Sequence, residues 1–85
     1  MEYLENARKE GIALKNYIIK NGKQGMLISR NRKLLDSLKL KNKDEFLNII
    51  LEICYVLRQP VPSCFDGSSE YPFNEIAYSF MIGFI

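Results

Sequence analysis

Three features of this 85-residue chain point to an all-α bundle of about four helices. Apolar residues recur at alternating spacings of three and four, the mark of a helix with one buried face. The runs that do so are separated by helix stop and start signals at Gly22, at Asn42 with Glu45, and at Pro60-Val61-Pro62. With 47% apolar residues, a chain this short makes one small domain that buries about 60 to 65% of its unfolded surface.

The first helix is expected over 2–21, because Leu4, Ala7, Gly11, Leu14 and Ile18 repeat along one face and Gly22 supplies the stop. Gly11 costs that helix about 1 kcal/mol relative to alanine. The cost is tolerable where another helix backbone approaches closely. A second helix over 24–40 places Leu27, Ile28, Leu34, Leu35 and Leu38 in one arc. Lys23, Arg30, Arg32, Lys33 and Lys39 are read into the other arc. After the short connection 41–43, Asn42 and Glu45 have the spacing of a capping box.

The third helix, 43–58, is apolar around most of its circumference, with Glu45, Asn48 and Glu52 as its polar strip. Such a helix is expected at the centre of a bundle or beneath a partner. Pro60-Val61-Pro62 ends it. Residues 64–70 read as a loop with a turn at Asp66-Gly67-Ser68-Ser69, and Pro72 fits the first turn of a fourth helix over 72–84. Ala77, Ser79 and Gly83 offer that helix close approach. The whole of 1–85 is therefore one helical domain: a basic helical segment 8–43, an apolar helix and proline-containing loop 44–70, and a C-terminal helix 71–85. Ending on apolar sequence, it is expected to have its last residues docked or to continue naturally past Ile85.

The chemistry excludes more than it includes. There is no histidine, so a serine or cysteine nucleophile has no such base, and a Cys/His zinc site is ruled out for this chain alone. No metal or other cofactor is expected. Cys54 and Cys64 read as reduced, partly buried thiols. Asp44 and Glu45 stand at a helix start, where the backbone dipole favours acids. Gly22 and Gly25 lack the strand and the Gly-Lys-Ser/Thr ending of a phosphate-binding loop. Enzyme activity is not expected. Neither a secretory signal nor an apolar stretch near the roughly 20 residues of a membrane span is present, so a cytoplasmic protein without membrane contact is expected.

Charge is what remains, and it is sorted. Between Arg8 and Lys43 stand eleven basic residues against Glu10 and Asp36, whereas the rest of the chain has eight acids and one base, Arg58. The net charge of +2 is thus +9 in one segment and −7 elsewhere. A surface that serves solubility alone intersperses the signs, so the segment is read as a contact for the phosphate backbone of nucleic acid. Its candidates are Lys15, Lys20, Lys23, Arg30, Arg32, Lys33, Lys39, Lys41 and Lys43. Reversing the charge at Arg30, Arg32 and Lys33 is expected to weaken DNA retention without unfolding the chain. No aromatic lies between Lys20 and Lys43, so base stacking is not expected there. Phe46, Tyr55, Phe65, Phe73 and Phe80 are read as core. A helix-turn-helix reader has the connection it needs near Asn42, but the helix that follows is too apolar to reach base edges.

One stretch resembles a known family. Leu34-Leu35 and Leu38, Asp44-Glu45-Phe46, the apolar helix with Tyr55, Pro60-Val61-Pro62 followed by Phe65, and Ala77, Phe80 and Gly83 are similar to the carboxyl-terminal region of the large-subunit protein of type I-B CRISPR effector (Cascade) complexes. The pattern covers a little over half the chain. A chain that begins with methionine and carries only that region resembles the separately translated small subunit of such a complex. The resemblance implies a helical bundle within an RNA-guided antiviral defence assembly in the prokaryotic cytoplasm. Its partners would be the backbone and large subunits, further copies of itself, target DNA without sequence preference, and guide RNA indirectly. A free-standing DNA-binding regulator and a protein–protein adaptor are the alternatives.

Overall fold

The computed structural model describes residues 2–67 and 70–85. The chain is an all-α bundle: α1 (Glu2–Lys20), α2 (Gln24–Lys39), α3 (Lys43–Leu57), a single 3-10 turn (Ser63–Phe65) and α4 (Phe73–Phe84). Helix α1 packs along α4 and α2 along α3, so the first and last helices meet. The Cα radius of gyration is 11.8 Å, about the 12 Å of a compact chain this long. The bundle therefore closes on itself.

Each helix end has a local cause. At the end of α1 the N–H of Gly22 donates to the Ile19 carbonyl and that of Lys23 to the Ile18 carbonyl, both at 3.0 Å, with Gly22 at φ +70°. This is the Schellman arrangement. It recurs after α2, where Lys41 donates to Leu38 at 3.0 Å and Asn42 to Ser37 at 2.8 Å, and after α3, where Arg58 donates to Tyr55 at 3.1 Å and Gln59 to Cys54 at 2.9 Å. There the left-handed position is held by Lys41 (φ 55°) and Arg58 (φ 56°). A side chain costs about 1 to 2 kcal/mol in that conformation, offset in part by a cation at the negative end of the helix dipole. Asn42 opens α3 by accepting from the Glu45 N–H at 3.1 Å. Its own N–H is given to Ser37, so only one half of the capping box forms. Pro72 stands just before α4 rather than in its first turn. Of the turn read at 66–69, Ser68 and Ser69 lie outside the described residues.

The core joins Ala7, Leu14 and Ile18 of α1, Leu34 and Leu38 of α2, Phe46, Ile49, Ile50 and Ile53 of α3, and Ile76, Phe80, Met81 and Phe84 of α4. Phe65, carried by the 3-10 turn, wedges between helices, its ring centroid 5.4 Å from Phe46 and 4.9 Å from Phe80 in edge-to-face geometry. The α1–α4 crossing is closer than side chains allow. A β-carbon on Gly11 would lie 2.1 Å from the Phe80 carbonyl oxygen, and one on Gly83 2.1 Å from that of Arg8.

The packing corrects further expectations. Tyr55 is not core: it is 85% exposed, and Leu51 and Val56 of α3 also look outward, so of the two expectations for α3 the buried centre of the bundle is not met on this side. Ile28 is 83% exposed, because it lies six residues before the buried Leu34, about 120° around the helix. Arg30, four residues before Leu34, is on the inner flank, with its side chain 26% exposed and paired with Glu52 of α3. Only Leu34 and Leu38 of the five apolar positions assigned to the α2 arc are fully buried, with Leu27 and Leu35 half-buried.

Candidate nucleic-acid interface

The nine sequence candidates separate into two groups. Lys20, Lys23, Arg32, Lys33, Lys39, Lys41 and Lys43 are exposed. Lys15 and Arg30 bind the protein instead. Lys15 Nζ donates to the Ile85 carbonyl oxygen at 2.7 Å, tying α1 to the end of α4 where a cation suits the dipole. The Arg30 guanidinium donates to the Glu52 carboxylate, joining α2 to α3. Charge reversal at Arg30 would set two carboxylates against each other. Arg30 therefore does not belong in a set of substitutions meant to spare the fold.

Helix α2 positions the exposed cations. Its 16 residues span about 24 Å. Lys20 and Lys23 stand at one end beside the α1–α2 turn, and Lys39, Lys41 and Lys43 at the other around the α2–α3 turn. That distance matches about seven phosphates along one strand, at roughly 3.4 Å each. It also exceeds the Debye length of about 8 Å at physiological salt, so the two ends act as separate basic corners. Arg32, Asp36 and Lys39 share one strip at spacings of four and three, whereas Lys33 lies on the other exposed flank, about 100° from Arg32. Lys43 Nζ sits 5.2 Å from the centre of the Phe73 ring, a cation–π contact that leaves it exposed.

Of the segment's two acids, Glu10 is engaged by the loop that follows α3. Its carboxylate accepts from the Ser63 hydroxyl and, at 3.1 Å, from the Cys64 N–H, anchoring the loop that carries Phe65. Burial pushes the Glu10 carboxyl up, but hydrogen bonds from Cys64 and Ser63 outweigh it and hold it below its ordinary 4.5. A depressed carboxyl contributes stability above its unfolded pKa that is lost as pH falls through the folded one. Glu10→Gln is thus expected to melt lower than the parent chain near neutrality. The gap should close between about pH 5 and pH 3, followed by circular dichroism melts. A constant gap over that range would dismiss the anchoring charge.

The two cysteines are free. Burial pushes the Cys54 thiol up. Burial and then the neighbouring Glu10 carboxylate push up that of Cys64. Both shifts oppose the thiolate that a nucleophile or a metal ligand must be. Among the described residues, no three His, Cys, Asp or Glu side chains gather as a metal would require. No helix among them is long and apolar enough to cross a membrane.

Sequence reasoning missed Tyr78. Folding of α4 against α2 brings this residue to a groove of about 480 Å³ that Leu27, Leu35, Arg32 and Lys39 also line, so an aromatic does reach the basic segment. No signal in the sequence joins Tyr78 to Arg32. Compared with known proteins, the chain matches no family model, no curated protein and no solved structure.

Proposed function

We propose that the chain is a non-catalytic nucleic-acid-binding subunit that holds a phosphate backbone along α2 and its two flanking turns. The observation that carries the reading is the set of exposed cations spread over about 24 Å, Lys20 and Lys23 at one end of α2, Lys39, Lys41 and Lys43 at the other and Lys33 between them on a separate flank, with Glu10 engaged by Ser63 and Cys64. Such contacts position a strand without reading its sequence. The uncovered apolar strip Leu51, Tyr55 and Val56 on α3 serves as a docking surface for protein, as a subunit of a larger assembly requires. The resemblance to type I-B small subunits makes that assembly an RNA-guided CRISPR interference complex in the prokaryotic cytoplasm, with target DNA as the strand held. The residues that carry the resemblance include Leu34, Leu38, Phe46, Phe65, Ala77 and Phe80, all buried, so it bears on the fold more than on the contact.

The adaptor alternative draws on the same α3 strip. A free-standing helix-turn-helix regulator is disfavoured, because α3, which stands in the reading position of that motif, presents Leu51, Tyr55 and Val56 outward instead of base-reaching polar groups. The test is affinity purification of the tagged chain from its native cell, with sequencing of bound RNA and mass spectrometry of bound protein. Recovery of repeat-derived guide RNA within a multi-subunit assembly is expected. A protein partner recovered with no nucleic acid would replace this reading with the adaptor.

A further inference from the structure

The groove between α2 and α4 has a chemistry that a row of surface cations lacks. Leu27 and Leu35 form an apolar floor, and the ring of Tyr78, about half exposed, lines it from α4. Its volume of about 480 Å³ is within the range of roughly 300 to 1,000 Å³ of small-ligand sites. Asn31 lines it as well, and the Asn31 side-chain oxygen Oδ1 is buried with no hydrogen-bond partner. A buried acceptor left without a donor is costly. Arg32 and Lys39 complete the lining, with Asp36 between them along α2.

We propose that this groove receives one base of a single-stranded nucleic acid. The base stacks on Tyr78 over the leucines, the Asn31 side chain turns from its buried position so that Oδ1 accepts from the amino or imino edge, and Arg32 and Lys39 hold the phosphates on either side. Asp36 keeps a third phosphate from settling between the two cations. Each part answers a different part of one ligand: an aromatic face for a flat ring, an acceptor for a donor edge, and paired cations for flanking anions. An apolar protein segment would satisfy the floor and leave both the acceptor and the cations unanswered. Bases inside a duplex are closed to such a ring. The site therefore adds a preference for single strands to the backbone contact proposed above, on which it rests.

The experiment is fluorescence anisotropy with three labelled probes: a mixed adenine–cytosine strand of about twelve nucleotides, an abasic strand of equal length, and the corresponding duplex. The ordinary strand is expected to bind about tenfold more tightly than the abasic one. Tyr78→Ala should remove that margin and Tyr78→Phe should retain it, while abasic-strand and duplex binding stay as they were. Equal affinity for ordinary and abasic strands overturns the base site and leaves the backbone reading intact. Failure to bind any of the three probes overturns both.

Discussion

Replacing Gly11 or Gly83 by alanine is expected to destabilise the chain by about 3 kcal/mol, the upper range for forcing extra volume into a packed site. The sign is not obvious beforehand, since alanine is the better helix former by about 1 kcal/mol. Geometry decides it. An added β-carbon would meet a backbone carbonyl oxygen at 2.1 Å from either side, Phe80 for Gly11 and Arg8 for Gly83. Neither oxygen can swing away as a side chain would, so α1 and α4 must separate along their length. The glycine hydrogens that now face those oxygens form the weak Cα–H···O contacts common at close helix crossings, and separation loses these together with the packing of Ala7, Ala77 and Phe84. Gly25→Ala is the control, because a β-carbon there meets nothing within 4 Å. The same chemical change in α2 should leave stability equal or slightly raised. Urea unfolding followed by circular dichroism measures all three. A domain of this size holds only about 4 to 13 kcal/mol in total, so either substitution removes a large share of its stability. If Gly11→Ala matched the parent midpoint, the direct backbone contact would be refuted.

That crossing also shows what the sequence could carry. Gly11 stood out because a glycine inside an apolar stripe has a cost that only close approach explains, and the stripe from Ala7 to Ile18 is buried as its spacing requires. The helix ends were legible for the same reason: the left-handed turn at Gly22 and the prolines at 60 and 62 are local facts. What failed was anything set by a distant partner. Arg30 was grouped with the outer cations on account of its charge, although its spacing from Leu34 already placed it inward; the acid that makes this tolerable, Glu52, sits on another helix. Lys15 is engaged by the far end of the chain. Tyr55 belongs to an apolar run whose local pattern offers no direction, so only the packing of α2 and α4 decides which side is bare. The distinction between a cation that holds protein and one that is free to hold phosphate therefore required the fold.

The same distinction gives the second large effect. Lys33→Gln, Lys41→Gln and Lys43→Gln together are expected to lower affinity for a nucleic-acid strand by about a hundredfold near 0.1 M salt. They should also flatten the dependence of log affinity on log salt by about 2 to 3, because each phosphate contact contributes roughly 0.7 to 0.9 to that slope. All three side chains are exposed, so melting should fall only modestly: Lys41 gives up its charge at the C-terminal end of α2, about 0.3 to 1 kcal/mol, and Lys43 a surface contact with Phe73. Lys15→Gln and Arg30→Gln should behave in the opposite way. Lys15 serves the end of α4 and Arg30 serves Glu52, so their loss should lower the melting temperature and leave the salt slope unchanged. The Arg30 pair is partly exposed, which keeps that loss to about 1 kcal/mol. Measuring slope and melting point on the same five side chains separates binding from folding, since a general loss of structure would lower both at once. A salt slope that fell as far in Lys15→Gln and Arg30→Gln as in the triple variant would refute this assignment of cations. A triple variant with an unaltered slope would remove the α2 cations as the nucleic-acid contact.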